Sequence, residues 1–408
     1  MLPQFDPVEL LGRLVSIPSV NPMGAGVTGP EYYESQLTDY LESWFARLGL
    51  ECQRQQVEPG RENLVARLEG AVPPRQGGRL VLFDAHQDTV PVDGMTIEPW
   101  NPTVRDGRLF GRGSCDTKGS MAAMMLALAR LARERPPGMP TVVMSCAVNE
   151  EFGFTGVGKI VELWNEPSRP NQLAGLIPRK PDAALVGEPT DLKVVVAHKG
   201  AVRWRCSTLG RAAHSSQPEA GDNAVYKMAR VLSSLELYHR EVIGTLGTHP
   251  LCGKATLNVG TIQGGMSVNT VPERCTIEID RRTLPGEDTS EARQHVIDYL
   301  AALPDLDFPL EHGPPFLQLP PLGDDLNGPL AESFSDCVRE VLGWAERAGQ
   351  TFGTHAAFYS SVGIPTLVFG PGSIEQAHTK DEWIAIEQVE QAAEIYYRFV
   401  LEGGGKQR

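Results

Sequence analysis

RLVLFDAHQD, residues 79–88, is a short apolar run closed by a histidine and an acid. A run of that length, rich in large aliphatic side chains, reads as a strand buried on both faces. Thr141–Val148 (TVVMSCAV) and Ala183–Val186 repeat the pattern, and Asn63–Leu68 and Thr366–Phe369 (TLVF) add further strands. Helical spacing separates them. Glu31–Leu48 sets Tyr33, Leu37, Tyr40, Leu41, Trp44, Phe45 and Leu48 on one face before Gly49, and Lys118–Arg133 is apolar nearly all round. Strands alternating with helices indicate an α/β layer structure with a mixed, mostly parallel sheet.

The texture changes after His198. Lys199–Leu209 and Cys275–Arg281 look like half-exposed strands, with helical patterns over Asn223–His239 and Ser290–Leu303. A β-α-β-β-α-β order predicts a small α+β domain of the ferredoxin-like kind. The α/β pattern then returns, with a helix over Leu326–Ala348. The expected organisation is a discontinuous domain, 1–199 and 317–408, interrupted by an inserted domain at 200–316. The tail GGGKQR reads as disordered.

Composition narrows the function. At 408 residues the chain exceeds what one hydrophobic core sustains, so two domains are expected. Its 37 Lys and Arg against 51 Asp and Glu leave a net charge of −14, which argues against a nucleic-acid partner. The longest apolar run, Met121–Ala129, is less than half of the roughly 20 residues that span a bilayer, so no membrane segment is expected. MLPQFDPVELLGRL has no basic region ahead of an apolar stretch, and the seven cysteines form no CxxC pair. A reduced, cytoplasmic protein is the expectation.

The chemistry-bearing residues cluster at strand ends. In extended backbone His86 and Asp88 point to one face, so the carboxylate can fix the imidazole tautomer and leave the other nitrogen for a metal. Asp116 lies in the glycine-rich turn GRGSCDTKGS ahead of the apolar helix. As a helix-terminal acid it would be unremarkable. Glu150 and Glu151 follow TVVMSCAV, and adjacent carboxylates repel unless a cation or proton lies between them. Glu188 (VGEPT) and His378 (GPGSIEQAHTKDEW) follow two more strands. Of these, the two histidines with Asp116, Glu151 and Glu188, a set without sulfur, suit a two-zinc centre with one carboxylate bridging.

Eight strings in order, DAHQDTVP, GRGSCDTKGSMAAM, AVNEEFGFTGV, VGEPT, GRAAHSSQPEAGDNA, VNTVPERC, IDRR and GPGSIEQAHTKDEW, resemble the peptidase M20 family. That family includes acetylornithine deacetylases, succinyl-diaminopimelate desuccinylases, aminoacylases and carboxypeptidases. The resemblance implies two Zn2+ ions, with Co2+ or Mn2+ as possible replacements. His86, Asp116 and Glu188 would hold one, Asp116, Glu151 and His378 the other, with Asp116 bridging. It implies that Asp88 orients His86, and that Glu150 is the general base acting on a metal-bridging water that attacks the amide carbonyl. It further implies a cis peptide bond after Asp116. The inserted domain resembles a lid and dimerisation domain, so a homodimer is expected. There His214 would stabilise the oxyanion in the partner's site, while Arg282 and Asn269 hold the substrate carboxylate, assisted by backbone N–H groups at Gly372 and Ser373.

GPGSIEQAH looks closest to the acetylornithine deacetylase branch, which implies a small N-acyl amino acid as substrate. One departure stands out: GTHAAFY places His355 where that branch carries an acid, near the expected substrate pocket. A histidine meets a cationic amine poorly near neutral pH. A dipeptidase, carboxypeptidase or succinyl-diaminopimelate desuccinylase uses the same zinc chemistry. A non-catalytic relative would be expected to lack Glu150 or a ligand. His198, His239, His249, His295 and His312 read as packed or solvated, and Cys115 as a buried filler.

Overall fold

The computed structural model describes residues 5–405. The chain forms two compact units: one holds everything up to Val196, Asp324–Ala348 and the chain from Thr354, the other Ala197–Gly323 and Gly349–Gly353.

The first unit is built on β1 (Glu51–Glu58), β2 (Arg61–Leu68), β3 (Leu80–His86), β4 (Thr141–Ala147), β5 (Ala183–Val186), β6 (Val194–His198), β7 (Arg347–Gln350) and β8 (Thr366–Val368). They form one sheet in the order β1-β2-β4-β3-β5-β8-β6-β7. The four strands β4, β3, β5 and β8 run parallel, flanked by antiparallel pairings of β2 with β4 and of β8 with β6. Every residue of β3, β4, β5 and β8 is buried, as continuous apolar strands covered on both faces require. Register sets His86 opposite Ala147 and Val368 opposite Val186, so the strands finish along one edge. Ligand-binding residues of open α/β sheets gather outside such an edge.

Helix boundaries depart from the apolar periodicity in two places. The second helix runs over Ser35–Arg47 only, because the Val20 N–H donates to the Glu31 carbonyl and the Val20 carbonyl accepts from the Tyr33 N–H, which holds that stretch out of the helix, with Tyr33 left-handed at φ 67°. The helix expected to reach Ala348 covers Gly328–Leu342; Gly343, at φ 79°, stops it, and 347–350 joins the sheet as β7. The glycine tail is also seated where it is described. Gly404 is buried and its carbonyl accepts from Arg79 Nη2 at 2.9 Å. Residues 1–4 and 406–408, the ends of the opening stretch and of the tail, lie outside the described residues.

The second unit is a four-stranded antiparallel sheet in the order Thr256–Gly264, Arg274–Thr283, Gly200–Leu209, Leu310–Leu319, with helices Ala224–Leu237 and Thr289–Ala301. Arg274–Thr283 alternates buried with half-exposed positions, the signature of a sheet covered on one face. This is the β-α-β-β-α-β arrangement read from the sequence. Among the described residues no helix is long and apolar enough to cross a membrane.

Candidate metal centre

His86 is the last residue of β3, and its Nδ1 lies 2.9 Å from the carbonyl oxygen of Asp88. The Asp88 carboxylate, expected in that role, stands 3.7 Å from Nδ1, beyond hydrogen-bond reach. It is engaged elsewhere. Its Oδ1 accepts the backbone N–H of Glu150 at 3.0 Å, and its Oδ2 accepts that of Glu151 at 3.1 Å and Asn21 Nδ2 at 2.8 Å. Asp88 thus orients His86 through its main chain and the Glu150–Glu151 turn through its side chain. A proton on Nδ1 leaves Nε2 as the lone-pair nitrogen, which faces Asp116 Oδ1 at 3.1 Å.

Asp116 precedes the helix Lys118–Glu134, and its peptide bond to Thr117 is cis. While Oδ1 faces His86, Oδ2 is 3.3 Å from His378 Nε2, which in turn lies 3.1 Å from Glu151 Oε2. One carboxylate therefore stands between two imidazoles from distant parts of the chain. What holds its loop is Glu382, a residue the sequence reading missed. Glu382 accepts backbone N–H groups of Gly113 (2.9 Å), Cys115 (2.8 Å) and Asp116 (3.0 Å), and pairs with Arg112 at 2.7 Å. The short pairing of Trp383–Ala385 with Arg108–Phe110 brings these segments together. In sequence, an acid shortly after His378 looks like any surface charge.

Glu188, after β5, is also buried. The GPG turn after β8 packs close to it because Gly370 has no side chain: a Cβ there would stand 2.3 Å from Ser120 Oγ and 2.6 Å from the Glu188 carbonyl oxygen.

The electrostatics are those of an acid cluster short of positive charge. Burial raises Glu150 and Glu188 well above the ordinary carboxyl range; neighbouring acids add to it, and the attraction of His86 opposes it. Burial and Asp116 push Glu151 up to about 7. Hydrogen bonds to Asp116 and Glu151 carry His378 up to about 11. For Asp116, burial pushes upward but the two histidines outweigh it and hold its carboxyl low. Glu151 Oε1 is buried and accepts no hydrogen bond. One donor atom each from His86, Asp116 and Glu151 falls within 4.8 Å of the others. Buried carboxylates in excess, an orphaned oxygen and two imidazoles sharing an acid fit a divalent cation.

His355 does not present its ring at a pocket surface. It is fully buried, with Nδ1 2.6 Å from Asp84 Oδ1, and Tyr359 donates to Asp84 Oδ2 at 2.7 Å. Gly372 donates its amide to Gln388 Oε1 at 2.7 Å, so that N–H already has an acceptor, and the Ser373 carbonyl accepts from Cys115 Sγ at 3.2 Å.

The remaining expected residues belong to the second unit. His214 is exposed, with Nδ1 2.7 Å from Ser216 Oγ. Asn269 accepts the backbone N–H of Ser215 on its carbonyl at 3.0 Å. Arg282 pairs with Asp280 through Nε at 2.9 Å, and Asp280 is shared with Arg203 at 2.9 Å.

The model of the peptidase family M20/M25/M40 matches residues 82–402. An acetylornithine deacetylase from Vibrio cholerae is 31% identical over 404 residues, covering 97% of this chain and 98% of the relative. Among solved structures, a tripeptidase from Staphylococcus aureus superposes with a TM-score of 0.76 at 20% identity, covering 98% of this chain and 100% of that one. A dinuclear metal binding peptidase of the M20 family from Bacillus subtilis gives 0.67 at 17% identity, covering 97% of each chain. With the family model spanning most of the sequence, and strand ends that gather the donor set of a metal centre, the chain belongs to the peptidase family M20/M25/M40, hydrolases of amide bonds.

Proposed function

We propose that this protein is a two-zinc amidohydrolase that releases the amino acid from an N-acyl amino acid, with N2-acetylornithine as the leading substrate. The observation that carries the reading is Asp116, set between His86 and His378 with Glu151 beside it. His86, Asp116 and Glu188 would hold one ion, and Asp116, Glu151 and His378 the other; cobalt or manganese suits the same donors. Bound there, the ions polarise the substrate carbonyl and lower the pKa of water.

Glu150 takes the proton of the attacking water and returns it to the leaving amine nitrogen. Burial raises the pKa of its carboxyl, which makes the carboxylate a stronger base than a solvated one. His214 supplies an N–H to the tetrahedral oxyanion in the site of a second copy of the chain. Arg282 and Asn269 hold the substrate carboxylate, the guanidinium offering two parallel N–H groups. Backbone N–H groups at Gly372 and Ser373 assist, that of Gly372 by leaving Gln388 Oε1. Pairing of two copies through the inserted unit is supported by the exposed edge strand Thr256–Gly264 and by Ile262, Met266 and Val268, all open to solvent. We place the enzyme in the cytoplasm.

Acetylornithine leads because the curated relative carries that name at 31% identity. The test is a panel of N-acetyl, N-succinyl and N-formyl amino acids and dipeptides, run on metal-loaded protein with a chelator control. Chelator-sensitive release of ornithine supports the assignment. Preference for a dipeptide or another acyl group replaces it while keeping the chemistry.

A further inference from the structure

At the turn carrying Glu150 and Glu151, three consecutive backbone amides end on buried carboxylates. The N–H of Asn149 donates to Glu34 Oε1 at 3.2 Å, that of Glu150 to Asp88 Oδ1 at 3.0 Å and that of Glu151 to Asp88 Oδ2 at 3.1 Å. Asn149 is left-handed, with φ 61°, a conformation asparagine tolerates better than most residues. Its side chain is anchored on both sides: Oδ1 accepts from Asn21 Nδ2 at 2.9 Å and Nδ2 donates to Thr155 Oγ1 at 2.8 Å.

Glu34 comes from the cap of the helix Ser35–Arg47, far from the site in sequence, and is fully buried. Arg61, the first residue of β2, clasps it with Nε on Oε2 at 3.0 Å and Nη2 on Oε1. A buried ion pair is weak support for stability, since apolar side chains of similar volume often serve a fold as well or better. What an apolar replacement cannot do is accept the Asn149 N–H.

We propose that Glu34, through the acceptor oxygen it sets opposite the Asn149 N–H, is a positioning residue for Glu150: it fixes the left-handed turn at Asn149 from which the Glu150 side chain is aimed. The inference rests on the reading of Glu150 as the proton carrier. A misplacement of about 1 Å costs on the order of a hundredfold in rate, so a single amide anchor at this turn is enough to matter.

Two double variants separate positioning from packing. Both remove the buried charges; E34Q/R61M keeps an acceptor oxygen opposite Asn149, whereas E34L/R61M removes it. Amide hydrogen exchange on metal-loaded protein is read for residues 149–151, together with bound metal, KM and kcat on the fastest N-acyl substrate of the panel. In E34L/R61M the 149–151 amides are expected to exchange at least about tenfold faster. Its kcat is expected to fall roughly tenfold to a hundredfold, with metal content and KM unchanged. E34Q/R61M should stay near wild type in both. Equal exchange and equal kcat in the two doubles overturn the proposal, as does loss of metal in E34L/R61M. If leucine prevents folding, E34A/R61M removes the same acceptor with less bulk. Undiminished turnover in Glu150→Gln would sink the proton-carrier reading separately, and the exchange data would still report the anchor.

Discussion

Asp84 Oδ1 and His355 Nδ1 lie 2.6 Å apart, with both side chains closed off from solvent. Burial pushes the Asp84 carboxyl upward, but His355 and the Tyr359 hydroxyl outweigh it and hold it below its usual range. Breaking such a pair leaves a buried charge without a partner. His355→Glu would set two acids face to face and is expected to cost about 3–5 kcal/mol in urea unfolding. Adding Asp84→Ala should recover much of the loss. Strictly additive losses in that double variant would show that the two residues do not interact.

Glu150→Gln is expected to keep fold and bound metal while abolishing turnover, because the amide keeps the shape and cannot carry the proton. Metal analysis and single-turnover assays check it. A variant that loses metal instead would exchange the roles assigned to Glu150 and Glu151.

Glu382→Gln should loosen the Asp116 loop by weakening its pairing with Arg112 and its grip on three backbone amides. Outer contacts of this kind are worth about 10–100-fold in metal affinity. Competition against a chelating dye measures it, and activity should return at saturating metal. Unchanged affinity would mean that Asp116 holds its place without Glu382.

Acid should weaken the packing around His198, at the end of β6, and around His312 in the second unit. Burial pushes His198 down to about 4 from 6.5, and His312, whose Nδ1 accepts from Trp204 Nε1, also falls to about 4, chiefly by burial. Both are neutral in the fold, whereas the unfolded chain takes up protons as pH drops below 6.5. Their stabilisation is therefore complete above 6.5 and is lost progressively toward 4; for His198 alone it amounts to about 3 kcal/mol. Hydrogen exchange on peptides from 194–319 should show faster opening across that window, and His312→Gln should flatten part of it. Exchange free energies that stay constant would contradict the assignment.

The sheet was legible because buried parallel strands are written as continuous apolar runs; His86 closes one of them, Glu150 and Glu188 come two residues after two others, and His378 nine residues after the last. Hydrogen-bond partners were not. The spacing of His86 and Asp88 suggests a ring–carboxylate bond, yet in the fold the carbonyl of Asp88 serves the ring and the carboxylate serves the amides of Glu150 and Glu151. No periodicity encodes that choice, which depends on where β4 delivers its turn. Glu382, Glu34 and Arg61 escaped for the same reason: isolated charges in sequence become buried clamps only when remote segments meet. The strand β7 was hidden because Arg347–Gln350 is too short and polar to announce itself.

The position of β8 bears on how the molecule is made. Residues 366–368 fill the slot between β5 and β6, strands that leave the ribosome some 170 residues earlier. Until that strand arrives the sheet has an open seam through its middle, and β5 and β6 each expose an unpaired edge. His378 emerges later still. A nascent chain therefore carries most of the donors proposed to bind metal through the whole synthesis of the inserted unit without the last of them. Closing the seam and completing the proposed metal centre then fall to the same late stretch of polypeptide, which on that reading ties the onset of activity to the final steps of folding.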